Sequence, residues 1–416
     1  MKDSGIEWIG EIPEGWEIKR LGAILQERNE VNNPIQTTSI LSLTNNRGVI
    51  PYSEKGNQGN KAKDDLTGYK IAHIGDIVLN SMNVIIGSVG LSNYYGAVSP
   101  VYYMLFPRNN IETNIQYYNY LFQTTAFQQS LRGYGNGILE IRMRIQMQKL
   151  KTVLLPVPTF LEQSNITVYL DASLSKLNIL LFKTRSSIEE YKKLKQAVIA
   201  QAVTKGLRGN RETKDSKIEW LGQIPKEWKC QKLKYTIFPQ NRPVFSTDEI
   251  ITCFRDGIVT LRKNRREDGF TVSFTEHGYQ GVEIGDLVIH GMDAFAGAIG
   301  CSDSRGKTTP VVHVCTTTGN NRFFMFFLRY MAYSNIFMDF SNGIRIRSSD
   351  FRNFTKLGIF DVLVPPIAEQ KEIADFLDAK CAEIDGLVAK KEQLVKELES
   401  YKKSLIYEVV TGKREV

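Results

Sequence analysis

Residues 6 to 16 read IEWIGEIPEGW and residues 218 to 228 read IEWLGQIPKEW, and Trp8, Trp16, Trp220 and Trp228 are the only tryptophans in the 416-residue chain. Seven of the eleven positions are identical, and the two segments start 212 residues apart. Internal repetition at a fixed interval decides the architecture of a whole chain. GDIVLNSM (75 to 82) corresponds to GDLVIHGM (285 to 292), and SPVYYM after Ser99 to TPVVHV after Thr309. A third correspondence begins at NGI, residues 136 to 138 and 342 to 344. It runs through PVPTFLEQSNITVYLDA and VPPIAEQKEIADFLDA, and reaches Val203-Thr204 and Val410-Thr411 at an offset of 207. The order is the same in both halves, so the whole chain is a duplication.

Within each half the hydrophobic pattern changes midway. From about residue 20 to 155, short β-rich runs such as DIVLN, VYYMLF and KTVLLPV alternate with Gly, Asn and Pro, the pattern of a mixed α+β domain. NIQYYNYLFQTTAFQQSL (114 to 131) is its expected internal helix. After Pro158 the punctuation stops. Leu170, Leu174, Leu177, Leu181, Ile188, Tyr191, Val198 and Ala202 then fall at alternating steps of four and three, with Thr184 and Lys195 filling the seam. In the second half Leu377, Cys381, Ile384, Val388, Val395, Leu398, Leu405 and Val409 do the same, with Lys391 and Lys402 as polar interruptions.

Thr159-x-x-Glu162 is a capping box at the start of the first long helix, and Lys205-Gly206 marks its end. The second copy lacks the capping Thr, so its start is expected to rest on Pro365-Pro366 alone. A helix of about 45 residues is roughly 70 Å long, more than the face of a domain of about 150 residues can cover. Each long helix therefore needs a partner, and the other copy supplies one. The fold expected is α+β: two pseudo-twofold-related globular domains joined by two long antiparallel coiled-coil helices. The helix-pair interface is expected at Leu170, Leu174, Leu177, Leu181, Ile188, Leu377, Ile384, Val388, Leu398 and Leu405. The boundaries are 1–157 and 209–365 for the globular domains, 158–208 and 366–416 for the helices. Whether Ile6 to Trp16 also packs against the end of the second helix, closing the chain into a ring, is a question for the structure.

Composition narrows the functional classes. With 42% hydrophobic and 24% charged residues the chain reads as globular. The greasiest stretch, NRFFMFFLRYMAYSNIF, is interrupted by Arg322 and Arg329 and reads as core rather than membrane span. MKDSGIEW lacks the apolar run of a secretory signal, and five cysteines without C-x-x-C spacing argue for a reduced, cytoplasmic setting without a disulfide or zinc framework. The net charge of +8 fits a polyanionic partner, although a solvated surface can carry the same excess.

The chemistry of an enzyme is missing. There is neither an Asn/Asp-Pro-Pro-aromatic tetrad for adenine methylation nor a G-x-x-x-x-G-K-[ST] phosphate loop. GSVG (87 to 90) and GAIG (297 to 300) read as tight turns, and Asn33-Pro34 as a turn. His73, His277, His290 and His313 lack ligand neighbours at metal spacing and are expected to be structural. Asp64-Asp65 and Glu189-Glu190 read as surface pairs, and Tyr94, Tyr95, Tyr102 and Tyr103 as core packing rather than base-stacking platforms.

The W-x-G-x-I-P-x-x-W openings, the mid-domain G-D-[IL]-V and the P-P-x-x-E-Q junction into a long helix, all present twice, resemble the specificity subunit of type I restriction-modification systems. The resemblance covers essentially the whole chain; VPTFLEQ stands in place of the double proline in the first copy. It implies two target-recognition domains, each reading one half of a bipartite asymmetric site in double-stranded DNA. It also implies helices that set the spacer and dock two modification (methyltransferase) subunits and the restriction (translocase/nuclease) subunits. The chain would be non-catalytic and carry no cofactor, with S-adenosylmethionine, ATP and Mg belonging to the partners, and no membrane would be involved. Two similar readers on a rigid spacer suit a split site, because half-site separation mirrors protein geometry. Residues 30 to 75 and 240 to 285 barely align between copies, as readers of different sequences should. The alternative is a coiled-coil adaptor that binds proteins only.

Base and phosphate contacts need Arg, Lys, Asn or Gln on elements that reach a groove. The richest clusters precede the helices: Arg132, Asn136, Arg142 and Arg144 in the first half, and Asn342, Arg345, Arg347 and Arg352 in the second. Arg-x-Arg spacing puts both guanidiniums on one strand face. The loop with Asn57, Gln58, Asn60, Lys61 and Lys63, and that with Arg262, Lys263, Arg265 and Arg266, are further candidates; a solvated charged loop is the bland reading of each.

Overall fold

The computed structural model describes the chain except residues 46, 57–60, 137–143, 266–276 and 339–350. It forms two compact units: Met1–Thr184 with Gln393–Val416, and Arg185–Glu392. Each contains one globular part and stretches of both long helices, which run Phe160–Lys205 and Ile367–Val410.

The two globular parts follow one plan, α+β as the sequence indicates. In the first unit an antiparallel four-stranded sheet has the spatial order Leu25–Arg28, Tyr102–Pro107, Ile77–Asn80, Val89–Leu91. In the second unit the order Ile237–Pro239, Val312–Thr317, Leu287–His290, Ile299–Cys301 repeats it. The G-D-[IL]-V strands are central in both and buried along their length, apart from half-buried His290. GSVG and GAIG turn at Gly87 and Gly297 and then enter the sheet's last strand.

The expected helix over 114–131 is two helices, Ile115–Gln123 and Thr125–Ser130. The break has a local cause. Thr124 takes an extended backbone, and its hydroxyl accepts from the Phe127 amide, so it caps a new helix rather than continuing the old one. Tyr94 and Tyr95 are also corrected: both are exposed, on the bend between two strands, and the Tyr95 hydroxyl donates to Gln36. Tyr103 is core and Tyr102 half-buried.

The repeated openings lead into each core. Glu17–Arg20 pairs with Leu154–Val157, and Lys229–Lys232 with Asp361–Val364, so the strand after each second tryptophan lies beside the strand that launches a long helix. Trp16 and Trp228 are buried, and their indole N–H groups donate to Glu162 (3.1 Å) and Glu369 (2.9 Å). The capping box at Thr159 and Glu162 forms in full: the Thr159 amide (2.8 Å) and hydroxyl (2.6 Å) donate to the Glu162 carboxylate, and the Glu162 amide donates to the Thr159 hydroxyl (3.3 Å). The second helix start does not rest on Pro365-Pro366 alone. Buried Gln370 donates to the Pro365 carbonyl and accepts from the Asn320 amide, both at 2.8 Å, as Gln163 does with Pro158 and Asn114. A side chain one turn inside each long helix thus ties its start to the globular part, with or without the capping Thr.

Along the helices the seam separates from its surroundings. Leu170, Leu174, Leu181, Ile188, Leu377, Ile384 and Leu405 are buried, and Leu177, Val388 and Leu398 half-buried, while most residues between them face solvent. In the second unit Lys195 binds Asp385 at 2.6 Å and Lys391 lies over the Tyr191 ring, so the two stretches run antiparallel. In the first unit Lys402 donates to Asn178, while Leu170 and Leu174 share a core with Leu405 and Val409. The seam lysines are thus each matched across the pair, by a carboxylate, a ring or an amide, which fixes register.

The first unit is closed by both chain ends. The Tyr407 hydroxyl donates to the Trp8 carbonyl (3.0 Å), Tyr117 donates to the Val410 carbonyl (2.8 Å), and Ile406, Val409 and Val410 join Ile6, Ile9 and Trp16 in one core. Gly412 follows the helix with a φ of 69°, and a Cβ there would press on Pro13 and the Trp16 ring. Gly206 does the same service after the first long helix, against Trp228, Glu369 and Arg211. The packing of Ile6 to Trp16 on the second helix's end, open from sequence, is therefore present. Among the described residues no helix is long and apolar enough to cross a membrane.

Candidate nucleic-acid interface

Each unit builds the end of its central strand from the same parts. A left-handed glycine, Gly75 or Gly285, turns the chain into the central strand and is followed by an aspartate. Asp76 accepts from the His73 amide (2.9 Å) and binds Arg28 (2.9 Å); Asp286 accepts from the Glu283 amide (2.7 Å) and binds Arg242. Burial raises the Asp286 carboxyl above its ordinary range, and the Arg242 guanidinium opposes that shift. These aspartates hold the scaffold.

At the far end of the strand a side chain caps the next turn. Asn80 Oδ1 accepts from the Met82 amide (3.0 Å), and His290 Nδ1 accepts from the amides of Met292 (3.3 Å) and Asp293 (3.1 Å). A short hairpin leans on this end: Leu41–Thr44 with Gly48–Pro51, and Ile251–Cys253 with Val259–Leu261. In the second unit hairpin and turn enclose an open cavity of about 850 Å³, lined by Arg255, Arg262, Arg265, His290, Met292 and Asp293 among others. Arg255 binds Asp293 (2.9 Å), Arg265 binds Asp256 (2.8 Å) with its guanidinium 4.4 Å over Phe254, and Arg262 donates to Thr252 (3.1 Å). Burial holds the His290 imidazole below its usual pKa, so the ring is neutral near pH 7.

The sequence candidates distribute unevenly over this site. Arg142, Arg266, Asn342, Arg345 and Arg347, with Asn57, Gln58 and Asn60, lie outside the described residues, as does the Asn136 side chain. Arg132, Arg144, Lys61, Lys63 and Arg352 are exposed. Arg144 sits on a strand whose next residue, Ile145, bonds from its amide to Ser81; Arg352 follows Phe351, whose amide bonds to Gly291. Arg144 and Arg352 thus lie beside the capped turn, one in each unit. Lys263 is exposed and paired with Glu249, on the same edge as Arg262 and Arg265.

Sequence reasoning missed Arg255 and His290. Arg255 stands in the turn-like CFRDG, a basic residue on a hairpin tip, which is a readable signal; His290 has none, because its value comes from a cavity built by residues far away in sequence. Of the histidines expected to be structural, His73 binds Glu30 (2.8 Å) and His313 the Phe351 carbonyl (2.6 Å). Among the described residues no three His, Cys, Asp or Glu side chains converge as metal ligands.

Comparison with known proteins is consistent with this geometry. Residues 13–190 match the family model described as type I restriction modification DNA specificity domain. The chain is 26% identical to a putative type I restriction enzyme MjaX specificity subunit of Methanocaldococcus jannaschii, covering 97% of this chain and 95% of that protein. It is 24% identical to the MjaVIII specificity subunit of the same organism, covering 97% and 93%. Among solved structures, a chain from a type I R-M system, reported for its complex assembly and conformational transition, matches with a TM-score of 0.70 at 13% identity, covering 97% of this chain and all of that one. The HsdS subunit of Thermoanaerobacter tengcongensis matches with a TM-score of 0.53 at 14% identity, covering 97% and 98%.

Proposed function

We propose that this chain, a member of the type I restriction-modification specificity-subunit family, selects the DNA sequence on which its partner subunits act. Each globular part, within residues 1–157 and 209–365, reads one half of a bipartite asymmetric site. The helices, 158–208 and 366–416, set the gap and dock two modification subunits and the restriction subunits. The observation that carries this reading is the doubled scaffold with different linings: the same aspartate, turn and hairpin support Asn80 in one unit and His290 in the other. Two readers of one design with unlike contact residues fit a split target whose halves differ.

This role is non-catalytic, and the chemistry is assigned to partners carrying S-adenosylmethionine, ATP and Mg. Among the candidates, Arg132, Arg144, Lys61, Lys63 and Arg352 are exposed and suited to phosphate contacts. Co-expression with the cognate modification subunit, followed by genome-wide mapping of modified adenines, tests the reading. Two short motifs at a constant gap are expected. A continuous motif, or none with a soluble assembled complex, overturns it in favour of an adaptor that binds proteins only.

A further inference from the structure

The doubled scaffold isolates the positions at which the two readers differ. The hairpins Leu41–Thr44/Gly48–Pro51 and Ile251–Cys253/Val259–Leu261 correspond at an offset of 210 residues, as do Gly75 and Gly285, and Gly87 and Gly297. At that offset Met82 answers to Met292, but Asn45 to Arg255, Lys55 to Arg265, Asn83 to Asp293 and Asn80 to His290. The backbone task of Asn80 and His290 is the same, since each accepts from the amide two residues on. What differs is the part of the side chain left over.

For His290 that remainder is defined. Nδ1 accepts two backbone N–H bonds, so the single proton of the neutral ring is on Nε2. The ring lines the 850 Å³ cavity, 22% exposed, with Met292 and the Arg255 and Arg265 guanidiniums around the same opening. Asp256 and Asp293 each engage one arginine and orient it, and a guanidinium has five donors, so each arginine keeps donors beyond its carboxylate. A fixed neutral donor flanked by oriented cations suits a base edge between two phosphates.

Resting on the reading that each unit recognises a half-site, we propose that His290 is a specificity-determining residue of the second reader. It donates from Nε2 to an acceptor on a base edge of double-stranded DNA, while Arg255 and Arg265 on the same rim hold the neighbouring phosphates. Guanine N7 and O6, adenine N7 and thymine O4 are the acceptors a major groove presents to such a donor.

The test uses the chain co-expressed with its modification subunit. Modified adenines are mapped for the wild type, His290→Asn and Arg255→Gln. His290→Asn installs the residue that holds the same turn in the first unit. It should leave the first half-site and the gap unchanged and relax one position of the second half-site by about tenfold. Arg255→Gln, at an exposed side chain, should keep both half-sites. On a duplex carrying the mapped site it should flatten the slope of log binding constant against log salt concentration by about 0.9. An identical second half-site in His290→Asn, or an unchanged salt slope in Arg255→Gln, overturns the proposal. A wild type with no bipartite motif at all overturns instead the reading on which it rests.

Discussion

Glu369 is less than a tenth exposed, yet it receives the Trp228 indole N–H and both arms of Arg211, whose guanidinium also lies 5.7 Å from the indole ring. Burial works to raise its carboxyl, but the hydrogen bonds from Arg211 and Trp228 outweigh burial and hold it below its ordinary 4.5. A carboxyl held low in the folded state stabilises in full above the unfolded value, and its contribution drains away as pH falls through the folded one. Urea unfolding of the second unit should therefore lose stability below pH 4.5 in the wild type, and that loss should be smaller in Glu369→Gln. Trp228→Phe keeps an aromatic ring in the core but removes the donor and the rest of the indole, and should cost about 1 to 3 kcal/mol or more at neutral pH. The tryptophans announced themselves by rarity and repetition. Their partner did not, because Glu369 is 141 residues from Trp228 and nothing local marks a glutamate that will be buried.

At the scale of elements, the long helices were legible because a seam of period 3.5 has no other physical reading at that length. The tie at the second helix start was not, since Gln370 acts through Asn320, a residue fifty positions away. Its removal should be felt. Gln370→Ala leaves the Asn320 amide without its acceptor inside the fold and should cost about 1 to 3 kcal/mol. Thr159→Ala removes an exposed cap and should cost about 1 kcal/mol. Denaturant midpoints for the two variants check the ranking, and a larger loss from Thr159→Ala would refute it. The split at Thr124 escaped notice because an amphipathic pattern continues across it, whereas the extended backbone that breaks the helix has no periodic signature.

Across the whole molecule, duplication and α+β class could be read from the order of motifs. The discontinuity of the first unit could not, as it depends on which surfaces meet at the chain ends. Deleting Leu405–Val416 removes Leu405, Ile406, Val409 and Val410 from the first core and the acceptor of the Tyr117 hydroxyl. Hydrogen exchange on the truncated chain should show protection lost through Met1–Thr184 and kept through much of Arg185–Glu392. Equal loss in both would mean that the units do not fold separately. The same closure sets an order of assembly during synthesis. Domains fold as units while the ribosome is still extending the chain, and Arg185–Glu392 is complete before Gln393–Val416 has been made. The unit that is translated first is therefore finished last, and it is the turns of the second long helix from Gln393 on that bring it into being.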